Sequence, residues 1–159
     1  WEDKRESNLL DGFAHFYDTY ECSDNKFIAV GSIEPQFYSE LLDKLEIDDK
    51  RFQDQHNKDL WPELKEIMTL KIKSKSRSEW VDIFFDSDAC VSPVLSMDEA
   101  QQHPHNLERE AFINIDGFNQ PNASPRYSKT TPEIKHNAKE VGADLDDVCK
   151  EFNLLKDVF

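Results

Sequence analysis

The stretch Phe27-Ile28-Ala29-Val30-Gly31-Ser32-Ile33-Glu34-Pro35-Gln36-Phe37-Tyr38 leaves the chain few ways to fold. An apolar, β-prone run is followed by a glycine, and Glu34 then stands directly before a proline. Pro35 suits the first position of a helix, and Phe37, Leu41, Leu42 and Leu45 recur at helical spacing. The segment therefore reads as a strand that delivers Glu34 to the first turn of a helix over 35–45. Unpaired N–H groups and the positive end of the helix dipole favour the ionised carboxylate there. Glu34 is thus expected to be a fixed anion and a poor proton donor. The same placement also fits a plain helix cap with no further role.

On either side, the pattern describes a small mixed domain. Residues 1–11 are polar apart from Leu9 and Leu10 and read as a flexible lead-in. Phe16 to Cys22 and Lys26 to Val30 are β-prone runs separated by the turn-forming trio Ser23-Asp24-Asn25, the signature of a hairpin. Phe13, Phe16, Tyr17 and Tyr20 crowd the first run and point to core packing. His15 among them is a conceivable general base, but a histidine satisfied by packing and a backbone bond explains it more simply.

Beyond the first helix, 46–58 is charged and reads as a loop or a short helix. Leu60-Trp61-Pro62 opens a second helix with an apolar face of Leu64, Ile67, Met68, Leu70 and Ile72. Ser76-Arg77-Ser78-Glu79 is a capping box ahead of Trp80, Val81, Ile83 and Phe84, so a third helix follows at once. Ala89-Cys90-Val91 reads as a short buried strand ended by Pro93, and Ser96-Met97-Asp98-Glu99 as a second capping box. Phe112-Ile113-Asn114-Ile115 alternates like a strand. From Gly117 to Thr131 the chain is rich in Pro, Asn, Ser and Thr and reads as an extended connector, followed by a returning arm and a final helix near Asp144 to Phe152. The fold class is α+β: a lead-in over 1–11, a small domain over 12–116 in which a hairpin packs with several helices, and a connector with C-terminal segment over 117–159.

Charge narrows the partners. A net charge of −14 leaves no basic surface with which to displace counterions from nucleic acid, and the apolar runs are too short to span a membrane. The basic cluster Lys71, Lys73, Lys75 and Arg77 reads first as cations complementing a helix C-terminus and second as a phosphate contact. Cys22, Cys90 and Cys149 are odd in number and far apart, which suggests free thiols in a reducing compartment. With no visible signal peptide, the expected location is the cytoplasm, or an organelle in a eukaryote. His103-Pro104-His105-Asn106 places two histidines close together without the further ligands a metal needs, so it reads as a helix-breaking turn and no metal is expected.

Gly12-Phe13-Ala14-His15-Phe16-Tyr17-Asp18-Thr19-Tyr20 and the run from Asp24 to Tyr38 closely resemble the racemase branch of the family III CoA-transferases (CaiB/BaiF). Trp61-Pro62-Glu63-Leu64-Lys65, Glu79-Trp80, the segment from Asp88 to Leu95, His103-Pro104-His105-Asn106 and Pro125-Arg126-Tyr127-Ser128-Lys129-Thr130 resemble further family segments in the family's order. The tail departs: Gly142-Ala143-Asp144-Leu145 stands where the family often has Gly-x-His-Thr.

The resemblance implies the small domain of an enzyme that also has a large Rossmann-like CoA-binding domain, two such chains interlocking as a homodimer. This chain resembles the C-terminal half, so an excised fragment, inactive alone, is expected. In the racemase branch a histidine and an aspartate from the other half exchange the proton next to an acyl-CoA thioester. Glu34 corresponds to the small-domain glutamate that hydrogen-bonds this histidine across the subunit boundary, and Ile33 and Gln36 beside it are expected to touch substrate. No cofactor is implied, since CoA is part of the substrate. A CoA-transferase of the same superfamily and a non-catalytic acidic interaction module are the competing readings. The Ile33-Glu34-Pro35-Gln36 segment favours the racemase.

Overall fold

The first ordered pairing is a hairpin. Strands β1 (Tyr17–Glu21) and β2 (Phe27–Gly31) run antiparallel from Tyr17 opposite Gly31 to Glu21 opposite Phe27. Cys22 N donates to Lys26 O at 2.7 Å and closes the turn, in which Asn25 takes the left-handed conformation that asparagine tolerates. The computed structural model describes residues 1–154, so the last five residues of the expected C-terminal segment lie outside the described residues. The chain divides into two compact units, one of Trp1–Ser96 and one that begins at Met97.

Strand β3 (Val91–Val94) adds to β2 antiparallel, giving the order β1-β2-β3. Here the sequence expectation needs correcting. Pro93 lies inside the strand, opposite Ile28, instead of ending it. An edge strand tolerates the ring because an outward-facing N–H is not needed for the ladder. Alternation sorts the side chains. Asp18, Tyr20, Ile28 and Val30 share one face, with Tyr20, Ile28 and Val30 buried. Tyr17, Thr19, Ala29, Gly31 and Ser92 share the other.

Three helices complete this unit: α1 (Pro35–Lys44), α2 (Trp61–Ile72) and α3 (Arg77–Phe84). A short 3-10 turn, Lys50–Gln53, interrupts the charged segment between α1 and α2. Asp49 caps that turn, and Arg51 beside it holds the Asp49 carboxyl down at about 2. The box before α3 forms in full: Ser76 accepts from Glu79 N, and the Glu79 side chain returns to the Ser76 backbone. In α2 the buried residues are Trp61, Leu64, Met68 and Ile72, spaced close to one per turn. Leu70, expected on that face, falls on the opposite side and is exposed. In α1 the sequence pattern missed Tyr38, which is buried together with Leu41.

The basic cluster is occupied within the unit. Lys71 pairs with Glu46, Lys73 pairs with Glu21 at 2.8 Å, and Lys75 lies over the Trp80 ring. The lead-in over 1–11 is tied by Asn8, whose side-chain amide exchanges hydrogen bonds with the Glu2 backbone and also reaches Asp11.

The second unit holds α4 (Met97–Gln102), α5 (Pro104–Glu108), a hairpin of β4 (Phe112–Ile115) and β5 (Phe118–Pro121), and α6 (Leu145–Glu151). The expected break at His103 is followed immediately by α5, for which His103 stands at the N-cap and Pro104 at the first position. The strand β5 replaces the beginning of the expected extended connector. Asp116 and Gly117, both at positive φ, make the two-residue turn between the strands, and Asp-Gly is a strong local hairpin signal. All three cysteines are free: Cys22 and Cys149 are buried and Cys90 is exposed.

Candidate active-site turn

Glu34 ends up on a turn held from four sides. Where β2 ends, Gly31 N donates to Cys90 O at 2.9 Å and Ser32 N donates to Phe16 O at 3.0 Å. The Ser32 hydroxyl, fully buried, donates to Ala89 O at 2.5 Å. Gln55 then donates its side-chain amide to Ser32 O at 3.1 Å and to Ile33 O at 3.0 Å. After the turn, Tyr38 N donates to Glu34 O at 2.9 Å and begins the α1 ladder.

The aromatic ring of Tyr38 continues the anchoring inward. Its hydroxyl donates to Phe52 O at 3.1 Å and lies 2.7 Å from His15 Nε2. A tyrosine hydroxyl has one proton, so its oxygen accepts from His15 and the imidazole proton sits on Nε2. The backbone bond expected for the His15 ring is absent. His15 Nδ1 is buried without a hydrogen-bond partner, and the ring is stacked edge-on against Phe16, Tyr38 and Phe52. Burial lowers the His15 pKa to about 4, so the ring is neutral near pH 7. It is a core histidine.

Glu34 itself occupies the N-cap position of α1, with φ −74° and ψ 142°, one residue before the first turn in which it was expected. Its carboxylate makes no capping hydrogen bond and is exposed. The bland cap reading therefore fails at the side chain: the residue occupies the cap position without using its oxygens there. Pro35 follows at N1, where a missing N–H costs nothing. Ile33 is half-buried and packs on the core, whereas Gln36 is exposed on the first turn of α1.

The neighbourhood is negative. Cys90, at φ 54°, is an exposed thiol raised above its usual pKa by partial burial and by the charges of Glu34, Asp88 and Glu40. Beside this turn the outer face of the sheet forms an open groove of about 440 Å³, lined by Leu10, Tyr17, Thr19, Ala29, Gly31, Cys90 and Ser92 together with flanking residues. Glu34, Ile33 and Gln36 do not line it, although Gly31 and Cys90 bring its end next to the turn. The groove was not anticipated from the sequence. Its signal was the small residues Ala29, Gly31 and Ser92 at the outward positions of paired strands.

Among the described residues no group of three or more His, Cys, Asp or Glu side chains is gathered as metal ligands, and His103 and His105 lie in and beside α5. No helix is long and apolar enough to cross a membrane.

The model of the CoA-transferase family III matches residues 2–145. The chain belongs to this family. Among its family III relatives, the alpha-methylacyl-CoA racemase of Mus musculus is 40% identical over 156 residues, and that of Homo sapiens 37% over 162 residues. These alignments take in 96% and 99% of the chain but only 40% and 42% of the relatives, so the chain spans about two fifths of the curated relatives it matches. A crystal structure of Rv3272 from M. tuberculosis superposes with a TM-score of 0.63 at 17% identity, over 76% of this chain and 34% of that one. That likeness concerns the fold, and it agrees with the α+β architecture expected from the sequence.

Proposed function

We propose that this chain forms the part of an acyl-CoA racemase that presents Glu34 to a catalytic imidazole, in an enzyme that interconverts (R)- and (S)-2-methylacyl-CoA thioesters. The observation that carries the proposal is the state of Glu34: an exposed carboxylate, not engaged in capping its own helix, on a turn whose neighbours are fixed by buried hydrogen bonds. Identity of 40% and 37% to two alpha-methylacyl-CoA racemases favours racemisation over the wider family chemistry.

In this reading a base removes the proton on the carbon next to the thioester, leaving an enolate, and an acid on the opposite face returns a proton to the same carbon. The acid and base are a histidine and an aspartate outside these residues, with the histidine on the partner chain of an interlocked homodimer. Glu34 accepts the imidazole N–H, selects the tautomer and stabilises the imidazolium once the proton has moved. No cofactor or metal takes part beyond the CoA of the substrate. Ile33 supports the turn from below, and Gln36 stands beside the carboxylate to meet the thioester.

The groove on the sheet suits the acyl end of such a substrate, since Tyr17, Ala29, Gly31 and Leu10 offer apolar surface. The net charge of −14 disfavours the CoA phosphates, which belong to the other part of the enzyme.

The test uses the full-length enzyme and a 2-methylacyl-CoA in deuterated water. Deuterium should enter the α-position with no second acid present, and Glu34→Gln should slow entry about 10²- to 10⁴-fold. Unchanged exchange in Glu34→Gln sinks the role of Glu34. A requirement for an acceptor carboxylic acid would indicate CoA transfer instead, and exchange by the isolated chain would overturn its dependence on the missing histidine and aspartate.

A further inference from the structure

Gln55 is a buried polar residue that no part of the proposed chemistry uses. It is 7% exposed and lies between the 3-10 turn and α2. Its amide nitrogen donates to two successive carbonyls, Ser32 O and Ile33 O, and its own backbone carbonyl accepts the Trp61 indole N–H at 2.7 Å. Two carbonyl acceptors can be satisfied only by an NH₂ group, so the orientation of the amide is fixed by its partners. Trp61 in turn is 1% exposed and packed edge-on against Phe13 and Phe16, which anchors Gln55 to the centre of the core.

The second of those carbonyls matters most. Ile33 C=O and Glu34 N–H belong to one peptide plane, and rotating that plane swings the Glu34 side chain. Among the described residues Gln55 is the one hydrogen-bond donor to Ile33 O, whereas Ser32 is also held through its N–H and its hydroxyl. Gln55 is therefore the group that sets the direction in which Glu34 leaves the scaffold.

We propose that Gln55 is a positioning residue for catalysis, acting through the Ile33–Glu34 peptide to aim the Glu34 carboxylate; this rests on the role given to Glu34 above. Gln55 touches neither substrate nor the reacting atoms. Its loss should leave substrate binding nearly intact while misdirecting the carboxylate, and a displacement on the ångström scale costs about 10²-fold in rate.

The experiment is a double-mutant cycle in the full-length enzyme, following α-deuterium exchange. Gln55→Met keeps the volume and removes both donors. It should lower kcat about 30- to 100-fold with KM changed less than about threefold, and the double variant with Glu34→Gln should be no slower than Glu34→Gln alone. An Ile72→Val control, at the far end of α2, should lose thermal stability without losing kcat. Two results overturn the proposal: wild-type kcat in Gln55→Met, or an equal loss whether or not Glu34 is present. A failure of the Glu34 reading looks different, because Glu34→Gln alone would then retain full turnover. Should Gln55→Met not fold, Trp61→Phe removes the indole donor that fixes Gln55 together with some core volume, and it must reproduce a smaller kcat loss with the same dependence on Glu34; a loss independent of Glu34 again refutes positioning.

Discussion

The two units of the chain solve the burial problem differently. The unit before Met97 contains a core of large side chains, with Trp61, Trp80, Phe16, Phe52, Leu64 and Met68 nearly or fully buried. In the second unit Cys149 is the one buried hydrophobic residue among those described, while Leu107, Phe118, Tyr127, Val141 and Phe152 are exposed. That unit is held by its short hairpin and local hydrogen bonds, such as Asn122 N to Ala111 O at 2.9 Å and Asn106 Nδ2 to Ala100 O at 2.8 Å. A rigid turn such as the one carrying Glu34 needs a dry, close-packed support, and among the described residues only the first unit supplies one.

Hydrogen exchange gives this contrast its hardest test. Amides of Ile28 and Val30 in β2 should exchange slower than those of Ile113 and Asn119 in the second hairpin by a factor of about 10³ or more. Equal protection would mean that the second unit has a stability its burial does not explain. Truncation comes next. Trp80→Ala removes a fully buried indole and its hydrogen bond to Ile72 O, and should cost about 3–5 kcal/mol in urea unfolding followed by tryptophan fluorescence. Phe118→Ala, at an exposed position of β5, should stay within about 0.5 kcal/mol.

Acid probes the first unit through His15. In the folded chain this ring titrates at about 4, against about 6.5 when unfolded, so between those values the unfolded state binds more protons. Stability should therefore be fully present above pH 6.5 and fall as pH drops towards 4, by up to about 3 kcal/mol. A His15→Gln variant should show a flatter urea midpoint over that window, and an unchanged slope would acquit His15. A smaller loss within the first unit belongs to the α3 box: Ser76→Ala should cost about 1 kcal/mol, read as a lower midpoint with an unchanged denaturant slope.

Much of the first unit was legible because its signals are local. The β-prone run from Lys26 to Val30, Pro35 at a helix start and the Ser76 box each depend on neighbours a few residues away, and each formed as read. Three of the misses came from residues whose role is set across the fold. Leu70 fits a helical pattern equally well on paper, but the direction of the core left it in solvent. Pro93 looks like a terminator until the strand proves to be an edge. Tyr38 falls outside the apolar set Phe37, Leu41, Leu42 and Leu45, and its burial depends on His15 and Phe52 meeting its hydroxyl. Asp116-Gly117 was a local signal that the polar composition around it concealed.

The order of residues alone determined the strand, the helix and the place of Glu34 between them, because backbone propensity and side-chain periodicity act over one or two turns. Only tertiary structure decided that this carboxylate is exposed and uncapped, and that Gln55 restrains the peptide beside it. Those facts depend on which distant groups reach the turn, and hydrogen-bond geometry of that kind is settled when the core closes.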